Sequence, residues 1–181
     1  MKRDQGFTEI EIRGFVSDNK YRQLLAFLRK NCKFVSRDDQ VTYYFDKKGN
    51  IRIQKNDFFA KLWIKSGKLH TSIHRELEVK FDKNDFGKLE EAMLMMGFAP
   101  KIKWFRLRYT FRWGRMNVML DKTKGYGNII ELEMICSSRK KEVFLRALRE
   151  RARALGVKET PSAEFERRYK YYERNWRRLA D

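Results

Sequence analysis

The sequence is poor in the residues that staple or punctuate a fold, with 2 cysteines and 2 prolines among 181 residues. Cys32 and Cys136 lie far apart and match neither a disulfide framework nor a CxxC metal knuckle. That usage points to a reduced, cytoplasmic protein. No Gly/Ser-rich linker interrupts the chain, so a single domain over 1–181 is expected, with strands and helices to 136 and two closing helices over 137–181. No apolar run approaches the ~20 residues of a spanning helix. Met1-Lys2-Arg3-Asp4-Gln5 is followed by no apolar signal core, which argues against export and membrane insertion. Acid is also scarce. Against 42 Lys and Arg stand 24 Asp and Glu, giving a formal net charge of +18 and a pI near 10.0.

What is present is enough apolar surface to order the chain, at 42% hydrophobic and 14% aromatic residues. The positive charge is spread along the chain: residues 139–181 hold 14 bases and 7 acids, and the rest of the excess precedes them. A field of that sign attracts a polyanion, whether nucleic acid, a membrane surface or a small phosphate chain.

Residues 6–16 alternate, with Thr8, Ile10 and Ile12 on one face and Glu9, Glu11 and Arg13 on the other, which predicts a strand. Ser17-Asp18 predict a helix cap before the stripe Tyr21, Leu24, Leu25, Leu28. Strands are expected at about 39–46, 50–55, 58–65 and 70–81, with turns at 47–50, 55–57 and 66–68. A second helix capped by Asp82 or Asn84 carries Phe86, Leu89, Met93 and Met96, and Gly97 closes it. Strands at about 101–113, 116–121 and 128–136 follow, hinged at Gly114 and Gly125-Tyr126-Gly127. The last of two final helices starts at Thr160-Pro161 and carries Phe165, Tyr169, Tyr172, Trp176 and Leu179 as one stripe. Tight connections imply antiparallel pairing. The expected fold is α+β, an eight-stranded antiparallel β-barrel forming a tunnel, with flanking α-helices.

The polar strand faces are unusual in their grouping. Glu9, Glu11 and Arg13 share one face, as do Glu131 and Glu133, Glu76 and Glu78, Arg106 and Arg108, and Lys61 and Lys65. Like charges at a spacing of two repel, so a stabilising role does not select them. Carboxylate pairs supply the hard oxygen donors that Mg²⁺ or Mn²⁺ prefers, and Arg and Lys match phosphate oxygens. Other features read more plainly: His70 and His74 as surface groups, Gly125-Tyr126-Gly127 as a turn, Met93, Met95 and Met96 as core, and the arginines of the last helix as a solvated face able to touch nucleic acid.

The motifs and their order resemble those of the CYTH superfamily, the triphosphate tunnel metalloenzymes. Glu9-Ile10-Glu11-Ile12-Arg13 is similar to its E-x-E-x-K signature, Thr42-Tyr43-Tyr44-Phe45-Asp46 to its Y-Y/F-D strand, and Ile51-Arg52-Ile53 to its L-R-I-R strand. Leu62-Trp63-Ile64-Lys65 resembles L-T-x-K, Arg75-Glu76-Leu77-Glu78 resembles R-x-E-x-E, and Arg106-Leu107-Arg108-Tyr109 the basic sixth strand. Val118-Met119-Leu120-Asp121 and Gly127-Asn128-Ile129-Ile130-Glu131-Leu132-Glu133 resemble the ending. The resemblance implies Mg²⁺ or Mn²⁺ held by Glu9, Glu11, Glu131 and Glu133, with Asp121 beside them. It implies a triphosphate clamp of Arg13, Arg52, Lys65, Arg75, Arg106 and Arg108, with Glu76 and Glu78 as supporting carboxylates, and it places Glu9, Glu11 and Arg13 at the catalytic centre. The implied activity is metal-dependent hydrolysis of a triphosphate (tripolyphosphate, thiamine triphosphate or a nucleoside triphosphate), and alternatively the reaction of a class IV adenylyl cyclase. A basic module that binds polyphosphate or nucleic acid without turnover is the reading from the other class. Four departures stand out: Arg13 replaces the signature Lys, the connection at 47–50 is short, Gln54 stands where a second Arg is natural, and Trp63 either narrows the lumen or stacks on a base.

Overall fold

The computed structural model describes residues 7–45, 51–66, 75–137 and 141–180, and the side chains of 7, 8, 65, 66, 75 and 76 lie outside the description. The turn at 47–50, Asp46, the turn at Gly67-Lys68, the start of the strand at 70–74, and His70 and His74 therefore also lie outside the described residues.

The elements run β1 (Phe7–Val16), α1 (Asp18–Asn31), β2 (Lys33–Phe45), β3 (Ile51–Lys55), β4 (Ala60–Ser66) and β5 (Arg75–Phe81). A 3₁₀ turn (Lys83–Asp85) leads into α2 (Phe86–Met95), then β6 (Pro100–Trp113), β7 (Met116–Thr123), β8 (Gly127–Ser137), α3 (Lys141–Ala154) and α4 (Ser162–Leu179). The α+β class and the eight strands are as expected. The strands follow the order β1-β8-β7-β6-β2-β3-β4-β5, and β1 with β8, β7 with β8, β2 with β3, β3 with β4 and β4 with β5 all pair antiparallel. The hydrogen-bonded ladder ends at β1 and β5 rather than closing on itself among the described residues.

The chain divides into two compact units, Met1–Arg37 with Arg108–Arg168, and Asp38–Leu107 with Tyr169–Asp181. In the first, the alternation expected for β1 sends Ile10 and Ile12 inward, where they meet Val118 and Leu120 of β7 and Ile130 and Leu132 of β8. Tyr21, Leu24 and Leu28 of α1 and Leu148 and Ala152 of α3 cover that face. Ser17 caps α1 as expected, its hydroxyl accepting from the Lys20 amide at 3.2 Å. Burial of the apolar face leaves the alternate residues to carry charge.

Gly14 is fixed by a close approach: a Cβ there would lie 2.4 Å from the Lys158 carbonyl. This crowding follows from the segment after α3 lying along β1, where the Thr160 amide donates to the Arg13 carbonyl at 2.9 Å and the Phe15 amide donates to the Thr160 hydroxyl at 3.0 Å. Part of the β1 backbone is thereby satisfied by a loop.

In the second unit, Tyr43, Phe45, Ile53 and Ala60 pack on Phe86 and Met93 of α2. Asp82 caps the 3₁₀ turn, accepting from the Asn84 amide, so the cap belongs to that turn while α2 itself starts without one. Helix α2 ends in a Schellman motif, with Gly97 at φ 78° and the Phe98 amide donating to the Met93 carbonyl. Two expectations fail here. Met95 and Met96 are 83% and 59% exposed, so only Met93 of the three is core. The 13-residue β2 begins at Lys33, well before the expected 39.

Candidate functional site

The first unit gathers its polar strand residues into rows. Register places Glu11 opposite Glu133 and Arg13 opposite Glu131. Glu133 in turn faces Asn117, Glu131 faces Met119, and Asp121 faces Ile129. Directly opposed residues share a face, so Glu9, Glu11, Arg13, Asp121, Glu131 and Glu133 stand on one side of this part of the sheet. The apolar core occupies the other side.

Arg108 organises the centre. Its Nε and Nη2 donate to the two Asp121 carboxylate oxygens at 2.7 Å each, and Nη2 also reaches Glu131 Oε2 at 3.2 Å. Only 4% of the Asp121 side chain and 14% of the Glu131 side chain remain exposed. A bidentate fork of this kind is among the strongest charge-assisted contacts a protein makes. Burial alone lowers the Arg108 pKa, but its bonds to Asp121 and the nearby charge of Glu131 leave it above the usual value.

Glu131 has a second carboxylate neighbour. Burial first, then a hydrogen bond with Glu11, raises its pKa from the usual 4.5 to about 7, against the lowering effect of Arg108. Two carboxyl groups in hydrogen-bond contact share one proton, and a divalent cation can replace that proton. Around them, Arg13 Nε lies 3.2 Å from Glu11 Oε1, and Asn117 donates to Glu133 Oε1 at 3.0 Å. The Arg13 guanidinium also lies 4.9 Å from the centroid of the Phe165 ring. Among the described residues, no three His, Cys, Asp or Glu side chains converge into a ready metal cluster. The donor chemistry nevertheless fits a hard cation, since the Glu11–Glu131 pair and the neighbouring Glu9 and Glu133 are all oxygen donors.

The second unit carries a different polar face. Tyr44, Arg52, Trp63 and Glu78 form one row across four strands. The Arg52 guanidinium lies 4.5 Å from the Tyr44 ring and 4.8 Å from the Trp63 ring. Lys61 Nζ lies 4.7 Å from the Trp63 ring and 2.8 Å from Glu78 Oε2. Trp63 thus neighbours two cations, a role the sequence reading did not foresee. Gln54 is buried, donating to the Thr42 hydroxyl at 2.9 Å, which explains why this position holds a neutral side chain.

Arg106 donates through Nε to Gln40 Oε1 at 2.8 Å, and Gln40 donates to Asp38 Oδ2 at 2.7 Å. Asp38, only 8% exposed, also accepts from the Asp57 amide and the Asn56 side chain. Asp38, Gln40, Tyr44 and Asn117 are positioning residues that sequence reasoning missed. The available signal for Gln40 and Tyr44 was parity, since both share the β2 face of Thr42. Lys65 and Glu76 are opposite each other in register, and Arg75 faces Ser66. A cleft of about 360 Å³ lined by Asp39, Val41, Lys55, Asn56, Asp57, Lys83 and Asn84 contains none of the nominated residues.

A family model described as the CYTH domain matches residues 8–168. Among solved structures, a protein from Pyrococcus horikoshii is 22% identical, with a TM-score of 0.65 over 84% of this chain and 92% of its own. An adenylyl cyclase-type protein from Hippeastrum, described as having a dominant triphosphatase activity, is 18% identical at a TM-score of 0.65, over 88% and 94%. A protein from Vibrio parahaemolyticus described in terms of adenylate cyclase is 10% identical at a TM-score of 0.62, over 87% and 96%. No curated protein matches the chain in sequence. No helix among the described residues is long and apolar enough to cross a membrane.

Proposed function

The chain belongs to the CYTH domain family, and on that premise we propose that it is a metal-dependent phosphohydrolase acting on a triphosphate. The observation that carries the reading is the close Glu11–Glu131 carboxyl pair beside the Arg108 fork. A binder of polyanions gains nothing from carboxylates on its binding face, because they repel phosphate unless a cation intervenes. Glu9, Glu11, Glu131 and Glu133 would hold Mg²⁺ or Mn²⁺, with Asp121 beside them. The bound ion supplies charge neutralisation and activation of a water.

The chain's own groups do the rest. Arg108 holds Asp121 and Glu131 in place, and its buried guanidinium sets the charge of the carboxylate face. Arg13, 46% exposed, would exchange its contact with Glu11 for phosphate oxygens. Arg52, Lys65 and Arg106 would be phosphate ligands on the polar strand face of their own unit, whereas register puts Arg75 opposite Ser66, on the other face from Lys65 and Glu76. Glu78 orients Lys61, and Glu76 is its neighbour on the same strand face.

Purified protein with Mg²⁺ or Mn²⁺ is expected to release phosphate from tripolyphosphate, thiamine triphosphate or a nucleoside triphosphate, and Glu9→Gln with Glu11→Gln to abolish that release. Unchanged turnover in the double variant sinks the site. Product analysis on the same samples separates hydrolysis from cyclisation, because cyclic nucleotide with pyrophosphate appears only in the second.

A further inference from the structure

We infer that Phe165, in the first turn of α4, is a positioning residue for Arg13, so that the segment joining α3 to α4 belongs to the triphosphate site. The inference rests on the reading of Arg13 as a phosphate ligand.

The connection after α3 grips β1 on both sides of Gly14. The Thr160 amide donates to the Arg13 carbonyl, and the Thr160 hydroxyl accepts from the Phe15 amide. Glycine is what lets the two chains lie so close, since a Cβ at Gly14 would also meet Val157 Cγ1 at 3.0 Å. Helix α4 then opens on the Pro161 carbonyl, which accepts from the Glu164 and Phe165 amides at 3.0 and 3.3 Å. This first turn fixes where the Phe165 ring leaves the helix. The ring lies 4.7 Å from that of Phe15, and Tyr126 Oη donates to the Phe165 carbonyl at 3.3 Å. Thr160 thus holds the backbone of Arg13, and Phe165 meets its side chain.

Packing on Phe15 accounts for an apolar residue at 165, but not for the Arg13 guanidinium 4.9 Å from that ring. Arg13 has two contacts of different kinds. The Glu11 carboxylate, 3.2 Å away, competes with any phosphate for the guanidinium. The ring does not compete, because it orients the planar fork without occupying its donors. An arginine that trades Glu11 for phosphate oxygens keeps the ring throughout, so Phe165 sets the plane in which the fork meets the anion. The contact also fits the departure from the signature Lys, since a planar guanidinium stacks on a ring where a compact ammonium does not. Arg168 makes a similar approach to Phe15, at 4.1 Å, but Glu164 of its own helix holds it at 2.6 Å.

The test is a double-mutant cycle on KM, with Mg²⁺ and whichever of the three triphosphates is turned over fastest, using Phe165→Leu, Arg13→Gln and both together. Phe165→Leu is expected to raise KM about two- to five-fold, the size of one exposed cation–aromatic contact, with kcat less affected. It should add nothing once Arg13→Gln is present. Phe165→Tyr is expected to restore KM, and thermal melts establish that the variants fold. An unmoved KM, a fall confined to kcat, or additive effects in the double variant each overturns the inference. A second readout needs no turnover. The Arg13 Nε–Hε signal in a proton–nitrogen correlation spectrum, assigned by its loss in Arg13→Gln, is shielded by the ring and should move in Phe165→Leu and stay in Phe165→Tyr. A signal unmoved by Phe165→Leu overturns the inference in active or inactive protein. A signal that moves in protein releasing no phosphate supports the hold of Phe165 on Arg13 and sinks the hydrolase reading alone.

Discussion

The polar face of the first unit and that of the second use opposite means to hold charge. The first crowds acids around a buried arginine: Arg108 takes Asp121 and Glu131 while Glu131 also meets Glu11. The second separates its cations with aromatic rings, Arg52 between Tyr44 and Trp63, and Lys61 over Trp63. A crowded acid face is under tension that a metal ion relieves. A cation–aromatic face orients its bases against rings rather than against one another, with Lys61 also paired to Glu78. Each face is thus described by its own chemistry, oxygen donors in the first unit and ring-held cations in the second.

The largest effect is expected from breaking the first face at its centre. Arg108→Met leaves Asp121 and Glu131 buried without their counter-charge, which costs about 3–5 kcal/mol. At roughly 2–4 °C per kcal/mol for a chain of this size, the melting midpoint falls by about 10 °C. A thermal melt in metal-free buffer reads this directly, and a drop of a degree or two would mean the fork carries no structural weight.

Acidity gives the next effect. Because folding raises the Glu131 pKa from 4.5 to about 7, its contribution to stability is complete below the lower value and is lost as the pH rises through the upper one. Metal-free wild type is therefore expected to lose on the order of 2 kcal/mol relative to Glu131→Gln between pH 5 and pH 8. Added Mn²⁺ should erase the loss in wild type and do little for the variant. Parallel urea titrations across pH give the comparison, and parallel curves at every pH would remove the shared proton from the account.

On the second face, Trp63→Leu releases Arg52 and Lys61 from their ring. The expected result is a three- to ten-fold rise in KM for a triphosphate, the size of one or two cation–aromatic contacts, with kcat less affected. Trp63→Phe should recover part of the loss. A change confined to kcat would place Trp63 in the chemistry instead.

Local periodicity made much of this legible. β1 reads directly from its sequence because Ile10 and Ile12 alternate with Glu9, Glu11 and Arg13, and Gly97 marks the end of α2 through its left-handed backbone. The start of β2 was hidden because Lys33–Arg37 is largely exposed and shows no alternation. The division into two units was hidden for a related reason. It falls at Arg37/Asp38 and Leu107/Arg108, in the middle of β2 and β6, where no proline, glycine or linker announces a boundary. Alternation already puts the carboxylates of each strand on one face, yet their pairing across strands was not readable. Arg108 reaches partners 13 and 23 residues away, and only the register of β7 and β8 decides which acids it meets.

The smallest effect concerns the departure from the family signature at Arg13. Its side chain is 46% exposed, 3.2 Å from Glu11 and 4.9 Å from the Phe165 centroid, so its contacts are screened and exchangeable. Arg13→Lys keeps the charge and loses the fork and the ring contact. Stability should change by less than about 1 kcal/mol, and kcat/KM by only a few-fold. Setting it beside Arg108→Lys, measured in the same melts and the same phosphate-release assay, makes the result informative. If both substitutions cost equal stability, the first face is an ion network built for folding. If Arg108→Lys costs much more stability while Arg13→Lys moves only KM, one arginine holds the acids and the other meets the substrate.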